Sequence, residues 1–168
     1  ECAGIEIQNQ PRKIIEILKT IRVEDGDKFV EVSPAREFAL DLEIEFKNEK
    51  IGKQKFSYNH DLNSFKNDIA GARTFCLKEE IEQMHKMNLA KGGNLNNAIV
   101  VDGANVVNEG AMRFENEFVR HKILDFVGDI YLAGYYMSGH FNASKTGHGL
   151  NNKILREIFS NQENYRIV

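Results

Sequence analysis

The residues of this chain that are best spaced for chemistry lie in the stretch Glu115 to Asp129, ENEFVRHKILDFVGD. Read as a helix, this stretch places His121 and Asp125 one turn apart on one face, with their Cβ atoms about 6 Å from each other. Zinc accepts an imidazole and a carboxylate as ligands, so the pair could hold one divalent metal. Asp129 continues the stripe one turn later. The alternative is a solvated pair or a simple hydrogen bond, because this spacing arises by chance in many helices.

A second histidine, His148, lies between Gly147 and Gly149. The two glycines leave the ring accessible and let the backbone turn sharply before the last predicted helix. A histidine in such a loop suits general acid–base catalysis, and Asp129 is the carboxylate that could hold its imidazole and favour the charged form. The alternative is a turn histidine that hydrogen-bonds only to its neighbours.

Thr74 and three lysines are candidates for binding negative charge. Thr74, in Arg73-Thr74-Phe75, could donate a hydrogen bond to a developing oxyanion, although threonine is commonly just a strand or cap residue. Lys28, Lys122 and Lys145 could neutralise phosphate, although surface lysines commonly do nothing specific.

A set of apolar residues between positions 75 and 101 could form either a small packed core or a slot for an alkyl chain. Its members are Leu77, Ile81, Met84, Leu95, Ala98 and Val100. The other histidines have no partner at a useful spacing and are predicted to be surface or turn residues; they are His60, His85 and His140.

The composition is that of an ordinary soluble domain. The chain has 168 residues, 42% of them hydrophobic and 28% charged, and its net charge of −3 gives no basic field for nucleic acid. No apolar run approaches the roughly 18 residues of a transmembrane helix. Two distant cysteines, Cys2 and Cys76, need not pair, and fit a reducing cytoplasm. The chain begins at Glu1, and we expect it to be part of something longer.

The hydrophobic pattern predicts an α+β fold with helices packed on one face of a mainly antiparallel sheet. Ile15, Ile17, Ile21 and Val23 alternate before the Asp25-Gly26 turn, which favours a hairpin over a competing helix. The alternation in Phe38 to Lys47 predicts a strand with one buried face. Other predicted strands are 55–58, 75–77, 98–101 and 135–144, and the predicted helices are 61–71 (capped by Asp61), 78–87, 115–129 and 149–159. In the helix 115–129 we expect Phe118, Leu124, Val127 and Tyr131 to be buried.

Several long strings of this sequence resemble those of the bacterial UDP-3-O-acyl-N-acetylglucosamine deacetylases, which take the committed step of lipid A synthesis. They are RVEDGDK at 22–28, ARTFCLKEEIEQM at 72–84, GGNLNNAIVVD at 92–102, MRFENEFVRHKILDFVGDIYLAG at 112–134 and SKTGHGLNNKIL at 144–155. The resemblance covers essentially the whole chain. It implies a two-layer α+β sandwich of the ribosomal S5 domain 2-like type, in which residues 75–101 form an inserted βαβ unit.

The resemblance also implies roles for the candidate residues. His121 and Asp125 match the zinc-binding histidine and aspartate of the family. His148 matches its catalytic histidine, protonated and facing the scissile amide, and Asp129 matches the acid that orients it. Thr74 matches the residue that helps to polarise the substrate carbonyl.

Substrate contacts are implied in the same way. The family substrate, UDP-3-O-acyl-N-acetylglucosamine, would be contacted by Phe75, Lys122, Lys28, Lys145 and Phe46, the last two where the nucleotide diphosphate lies. Residues 75–101 match the unit that forms the acyl-chain passage, which favours the slot over the plain core for its apolar residues.

The sequence departs from the family pattern in two respects. Cys76 and Leu77 stand where the family commonly has glycine and phenylalanine, and we expect them to alter the bore of the passage. The family enzyme has two similar domains, and its third zinc ligand, a histidine, adjoins the glutamate base in the first domain. No Glu-His dipeptide occurs in this chain. Residues 1–168 are therefore expected to be the second domain alone, inactive without its own N-terminal domain.

Overall fold

The computed structural model describes residues 4, 6, 8–110 and 112–168. Its strands are β1 (Ile14–Ile17), β2 (Ile21–Asp25), β3 (Lys28–Ser33), β4 (Phe38–Glu45), β5 (Lys53–Asn59), β6 (Thr74–Leu77), β7 (Ala98–Asp102), β8 (Asn105–Val106), β9 (Tyr136–Ser144) and β10 (Tyr165–Ile167). Its α-helices are α1 (Leu62–Ser64), α2 (Ile81–Lys86), α3 (Glu117–Ile130) and α4 (His148–Phe159). No helix in the described ranges is long and apolar enough to cross a membrane. Cys2 lies outside those ranges.

The main sheet is built around β9. This strand pairs with β3 in antiparallel fashion and with β1 and β4 in parallel fashion. The outer strands β2, β5 and β10 each pair antiparallel with a neighbour. The sheet is therefore mixed but mainly antiparallel, and helices pack on it, as the sequence predicts.

The predicted strand patterns are confirmed except at Phe46, which follows the end of β4 and is 38% exposed. Ile15, Ile17, Ile21 and Val23 are all buried, and β2 and β3 form the predicted hairpin around Gly26, whose φ of +61° suits glycine. In β4 the residues Phe38, Leu40, Leu42 and Ile44 are buried in alternation. The alternating segment 14–25 is divided at residues 18–20 into β1 and β2. Strand β1 is therefore not part of the hairpin and pairs with β9.

The helical layer consists of α3 and α4. Helix α3 buries Phe118, Val119, Ile123, Phe126 and Ile130, and the Phe126 ring meets the Phe141 ring of β9 at 5.3 Å between centroids. The prediction for this buried face is correct for Phe118 and wrong for Tyr131, which is 54% exposed. Leu124 and Val127 are only partly buried and line, with Tyr131, an apolar cavity of about 520 Å³ on another side of the helix.

Residues 74–106 form a small separate sheet. Strands β6 and β7 are parallel, with Thr74 opposite Ala98 and Leu77 opposite Val101, and α2 lies between them in sequence. The predicted βαβ unit is thus present, and the short strand β8, which the sequence analysis did not predict, adds to it in antiparallel fashion. The parallel pairing places the first residues of the two strands, Thr74 and Ala98, side by side.

One other predicted element differs in detail, and one strand was not predicted. Asp61 caps α1 as expected, accepting from the backbone N–H groups of Asn63 and Ser64, but α1 is one turn long and continues as a π-helical segment, Phe65–Ile69. Strand β10 was not predicted, because Tyr165–Ile167 is too short to show a period.

His60, which the sequence predicts to be a surface or turn residue, is half-buried. It directly follows β5 and packs edge-on against the Phe38 and Phe65 rings, while its Nδ1 lies 2.6 Å from the Tyr58 hydroxyl. Burial lowers the pKa of His60 below its usual 6.5. His140, by contrast, is exposed, as predicted, and pairs with Asp41 on the outer face of the sheet.

Two glycines give opposite predictions for stability. A Cβ at Gly139, in the central strand β9, would lie 3.0 Å from Val32 Cγ2 and 3.1 Å from Ile17 Cγ1. We expect Gly139→Ala to lower the free energy of unfolding by about 1–3 kcal/mol through overpacking. Gly128 lies inside α3 with nothing within 4 Å of such a Cβ, so Gly128→Ala should raise it by about 0.5–1 kcal/mol. Urea unfolding of both variants measures this, and equal effects would contradict the packing around β9.

The burial of His60 predicts a pH dependence. Below pH 6.5 the unfolded chain takes up a proton at this residue before the folded chain does, so the free energy of unfolding should decrease as pH falls from 6.5 towards the lowered folded pKa. His60→Gln should make the free energy of unfolding less dependent on pH in this range. His85→Gln, at an exposed histidine of α2, is the control. An unchanged slope in the His60 variant would contradict the burial.

Candidate active site

Helix α3 presents a stripe of polar residues at four-residue intervals. His121 and Asp125 are adjacent on it, with His121 Nε2 3.3 Å from Asp125 Oδ1. His121 Nδ1 lies 3.3 Å from the backbone carbonyl oxygen of Ala72. A carbonyl can only accept, so this contact is a hydrogen bond when Nδ1 carries a proton, and Nε2 then faces the Asp125 carboxylate.

This pair fits a metal ligand set in its chemistry. Burial lowers the pKa of His121, which favours the neutral imidazole that binds metal, and a backbone carbonyl on the second ring nitrogen is the usual support of a ligating histidine. Across the described part of the chain, no group of three or more His, Cys, Asp and Glu side chains is arranged to hold a metal ion. A metal held by His121 and Asp125 would thus have two ligands from the described residues.

The same stripe continues to Asp129, which binds His148. His148 Nδ1 lies 2.8 Å and 3.0 Å from the two carboxylate oxygens of Asp129. Asn151 donates to Asp129 Oδ2 at 2.8 Å, and its own Oδ1 accepts from the buried Thr146 hydroxyl at 2.6 Å. The carboxylate is thereby fixed on one side while His148, 70% exposed in its side chain, keeps Nε2 for a bound molecule.

The segment that carries Thr74 lies against α3. The Phe75 ring contacts the His121 ring at 6.1 Å and the Phe46 ring at 5.5 Å between centroids. Thr74 begins β6 and is exposed, next to a residue pair that is deeply buried: Arg73, whose side chain is 9% exposed, and Glu117, which is 0% exposed. Thr74 therefore lies near His121, because Phe75 and Ala72 on either side of it along the chain both contact the His121 ring.

Four of the five residues predicted to contact substrate meet in one cavity, and the fifth, Phe75, lines another. A space of about 450 Å³ is lined by Asp27, Lys28, Ile44, Glu45, Phe46, Lys47, Lys122, Lys145 and Thr146. It contains all three predicted lysines together with Phe46, from four separate segments of the chain. It also contains two carboxylates and a fourth lysine, Lys47, which the sequence analysis did not single out.

Lys145 is held more tightly than an ordinary surface lysine. Its backbone has a φ of +55°, in the left-handed region, and its N–H donates to the Glu43 carbonyl. Its ammonium pairs with Asp27, at 2.8 Å, and with Glu45. Hydrogen bonds to these two carboxylates raise the pKa of Lys145, so it stays charged.

The apolar set between residues 75 and 101 lines a second cavity of about 640 Å³. Ile81, Met84, Leu95, Ala98 and Val100 all contribute to it. Leu77 does not: alternation along β6 turns it to the other face, against the main core, and Cys76 lines the cavity instead. Burial raises the pKa of the Cys76 thiol, so the wall is uncharged there.

Four residues beside the site were missed by sequence reasoning. They are Arg73, Glu117, Thr146 and Asn151. The only signal that could have found one of them is the position of Glu117, which lies four residues before His121 and continues the polar stripe towards the start of α3.

Asn151 should matter more than its neighbour on the same helix. We expect Asn151→Ala to lower the free energy of unfolding by about 1–3 kcal/mol, because it leaves the Thr146 hydroxyl and Asp129 without buried partners. Asn152→Ala, which removes only a contact with Arg156, should change it by less than about 0.5 kcal/mol. Thermal unfolding compares the two, and equal losses would contradict the network.

Comparison with known proteins identifies the family. The family described as LpxC, UDP-3-O-acyl N-acetylglycosamine deacetylase, matches residues 1–160. Proteins named UDP-3-O-acyl-N-acetylglucosamine deacetylase are 48% identical over 168 residues in Pasteurella multocida and 44% identical over 170 residues in Acidithiobacillus ferrooxidans. These alignments cover 99% and 100% of this chain, but 55% and 56% of the relatives, so the chain spans about half the length of the curated relatives it matches. With a family match over nearly all of its residues, the chain belongs to the UDP-3-O-acyl-N-acetylglucosamine deacetylase family.

Proposed function

We propose that this chain is the C-terminal domain of a zinc-dependent deacetylase. The enzyme would remove the N-acetyl group of UDP-3-O-acyl-N-acetylglucosamine to give the free amine and acetate, in lipid A synthesis. The observation that carries the proposal is the single stripe on α3 that joins His121, Asp125 and, through Asp129, His148. The family and the names of the relatives support the substrate class.

His121 and Asp125 would hold the zinc, with a third ligand and a glutamate base from an N-terminal domain. The chemistry that zinc supplies in such a site is a water acidic enough to lose its proton near neutral pH, and polarisation of the amide carbonyl. The Ala72 carbonyl would keep His121 in the tautomer that leaves Nε2 free.

His148 and Thr74 would stabilise the negative charge that develops on the carbonyl oxygen. Asp129 accepts from His148 Nδ1, which directs the Nε2 side of the ring outward. The exposed Thr74 hydroxyl begins the strand beside His121 and could donate to the same oxygen. His148 could also pass a proton to the leaving amine, which needs one to depart as a neutral group.

The two cavities fit the two ends of the substrate. The lysines of the 450 Å³ cavity would bind the diphosphate, and Phe46 would contact the nucleotide. The apolar 640 Å³ cavity would take the acyl chain. Phe75 lies between them, since its ring meets Phe46 on one side and it lines the apolar cavity on the other. Such an enzyme would work in the cytoplasm, where its nucleotide-sugar substrate is made.

In the full-length enzyme, His148→Ala should lower kcat by about 10²–10⁴-fold, the usual contribution of a positioned acid–base group. His140→Ala removes another exposed histidine, which pairs with Asp41 on the outer face of the sheet, and should leave kcat unchanged. Acetate release from the UDP-sugar substrate measures both. The present chain alone, with added Zn²⁺, should release no acetate above the buffer rate.

Turnover by the isolated chain near that of the full enzyme would overturn the proposal that half of the site is elsewhere. Equal kcat values for the two histidine variants would overturn the role of His148. Binding of the substrate by the full-length protein without any acetate release would instead favour a non-catalytic nucleotide-sugar or lipid-binding module.

A further inference from the structure

The charged pair Arg73–Glu117 is the most deeply buried ion pair that borders the site, and the reaction as described above does not use it. Both oxygens of the Glu117 carboxylate are occupied. Oε1 accepts from the backbone N–H and Nε of Arg73, at 3.0 and 2.8 Å, and Oε2 accepts from Arg73 Nη2 at 3.0 Å and from the backbone N–H of Arg113 at 2.7 Å. The side chain itself belongs to the first turn of α3.

This arrangement constrains the backbone more than a side-chain pair would. Two of the four donors are main-chain N–H groups, so the carboxylate fixes the chain positions of residues 73 and 113 relative to α3. Arg113 extends the constraint, because its guanidinium donates to the carbonyl oxygens of Gly71 and Asn96. Three segments, 71–73, 96 and 113–117, are thus joined around one carboxylate.

The constrained segment carries two groups of the site. Ala72, whose carbonyl accepts from His121 Nδ1, immediately precedes Arg73, and Thr74 immediately follows it. Glu117 and His121 lie one turn apart on α3. The Glu117 carboxylate therefore fixes how far the Ala72 carbonyl lies from α3. That carbonyl contacts the His121 imidazole, which is one helical turn beyond Glu117.

Stability alone does not explain such a pair. Burying two charges is costly, and a buried ion pair can often be replaced by well-packed apolar residues without loss of stability. Burial works against ionisation of Glu117, yet hydrogen bonds from the Arg73 guanidinium and the two backbone N–H groups outweigh it and lower the pKa of this carboxyl. The carboxylate thus stays charged, and its role is to fix the positions of residues 73 and 113 relative to α3.

We propose that Glu117 is a positioning residue of the active site, which holds residues 71–74 against α3 so that the Ala72 carbonyl orients the His121 ring and Thr74 lies beside that ring. The inference rests on the proposed function for its meaning in catalysis. The position of residues 71–74 against α3, which the inference explains, involves only this chain and requires neither metal nor substrate.

Glu117→Gln tests the proposal with little change of shape. The new amide NH₂ replaces one acceptor and faces donors of Arg73 or Arg113, so we expect the segment 71–74 to shift from α3. In NMR spectra of the metal-free chain, the variant should weaken the NOE between the His121 and Phe75 rings, which meet edge-on in the unchanged protein. The His121 ring resonances and the Thr74 amide resonance should also move.

Asp68→Asn is the matched control. It removes an ion pair that α3 makes through Arg120, with Asp68 Oδ1 3.3 Å from Arg120 Nη1, and does not touch residues 71–74. The His121 and Thr74 resonances and the NOE between His121 and Phe75 should be unchanged in this variant. A Glu117→Gln chain that is folded, less stable and unaltered at His121 and Thr74 would show a merely structural pair and overturn the inference, while the proposed deacetylase function would stand.

A second variant and a second measurement keep the test decisive if Glu117→Gln does not fold. The double variant Arg73→Met, Glu117→Gln leaves no buried charge, and it should fold and show the same change at His121. In the unchanged chain, the backbone amides of Arg73 and Arg113 should exchange with deuterium as slowly as those of β9. Fast exchange of both amides would overturn the inference without any variant. Absence of deacetylase activity in the full-length protein would overturn the proposed function and leave these results intact.

Discussion

The rotation of α3 about its own axis is the constraint on which the site depends. Successive residues of an α-helix are about 100° apart, so burying Ile123 and Phe126 against the sheet leaves the helix a single orientation. That orientation directs His121, Asp125 and Asp129 away from the sheet together. The apolar contacts of one face therefore decide where the polar groups of another face meet the loops, and the ring contact between Phe126 and Phe141 ties that face to the central strand.

Each polar residue of the stripe is then fixed by a group from another part of the chain. Glu117 binds Arg73, His121 binds the Ala72 carbonyl, and Asp129 binds His148 and Asn151. These partners come from both sides of α3 in sequence: the entry to the small sheet precedes it and α4 follows it. The helix is thus the common frame through which the small sheet and α4 are brought to the same place.

The sequence was sufficient to predict elements whose hydrophobic or polar residues follow one regular period. The alternation in β4 and the spacing of His121, Asp125 and Asp129 both survive in the structure, because each depends only on local geometry. It was insufficient for the buried face of α3, since this helix has apolar residues around most of its circumference. Leu124 and Val127 have the same spacing preference as Ile123 and Phe126, and only the position of the sheet separates them. The partners Asn151 and Arg73 lie 22 and 44 residues from the carboxylates they bind, where no periodicity reaches.

Ammonium groups of the lysine cavity are already paired with carboxylates, so an incoming anion would have to replace these carboxylates as their partner. Lys145 binds Asp27 and Glu45, and Lys122 binds Asp125 Oδ2 at 2.8 Å. The Asp27 carboxylate is 71% exposed, so water can solvate it when Lys145 takes another partner. Lys122 differs because it also fixes the Asp125 carboxylate, whose other oxygen faces His121. One lysine therefore touches both the cavity and the predicted ligand pair, and its position on α3, next to His121 in sequence, makes the two parts of the site dependent on the same turn of helix.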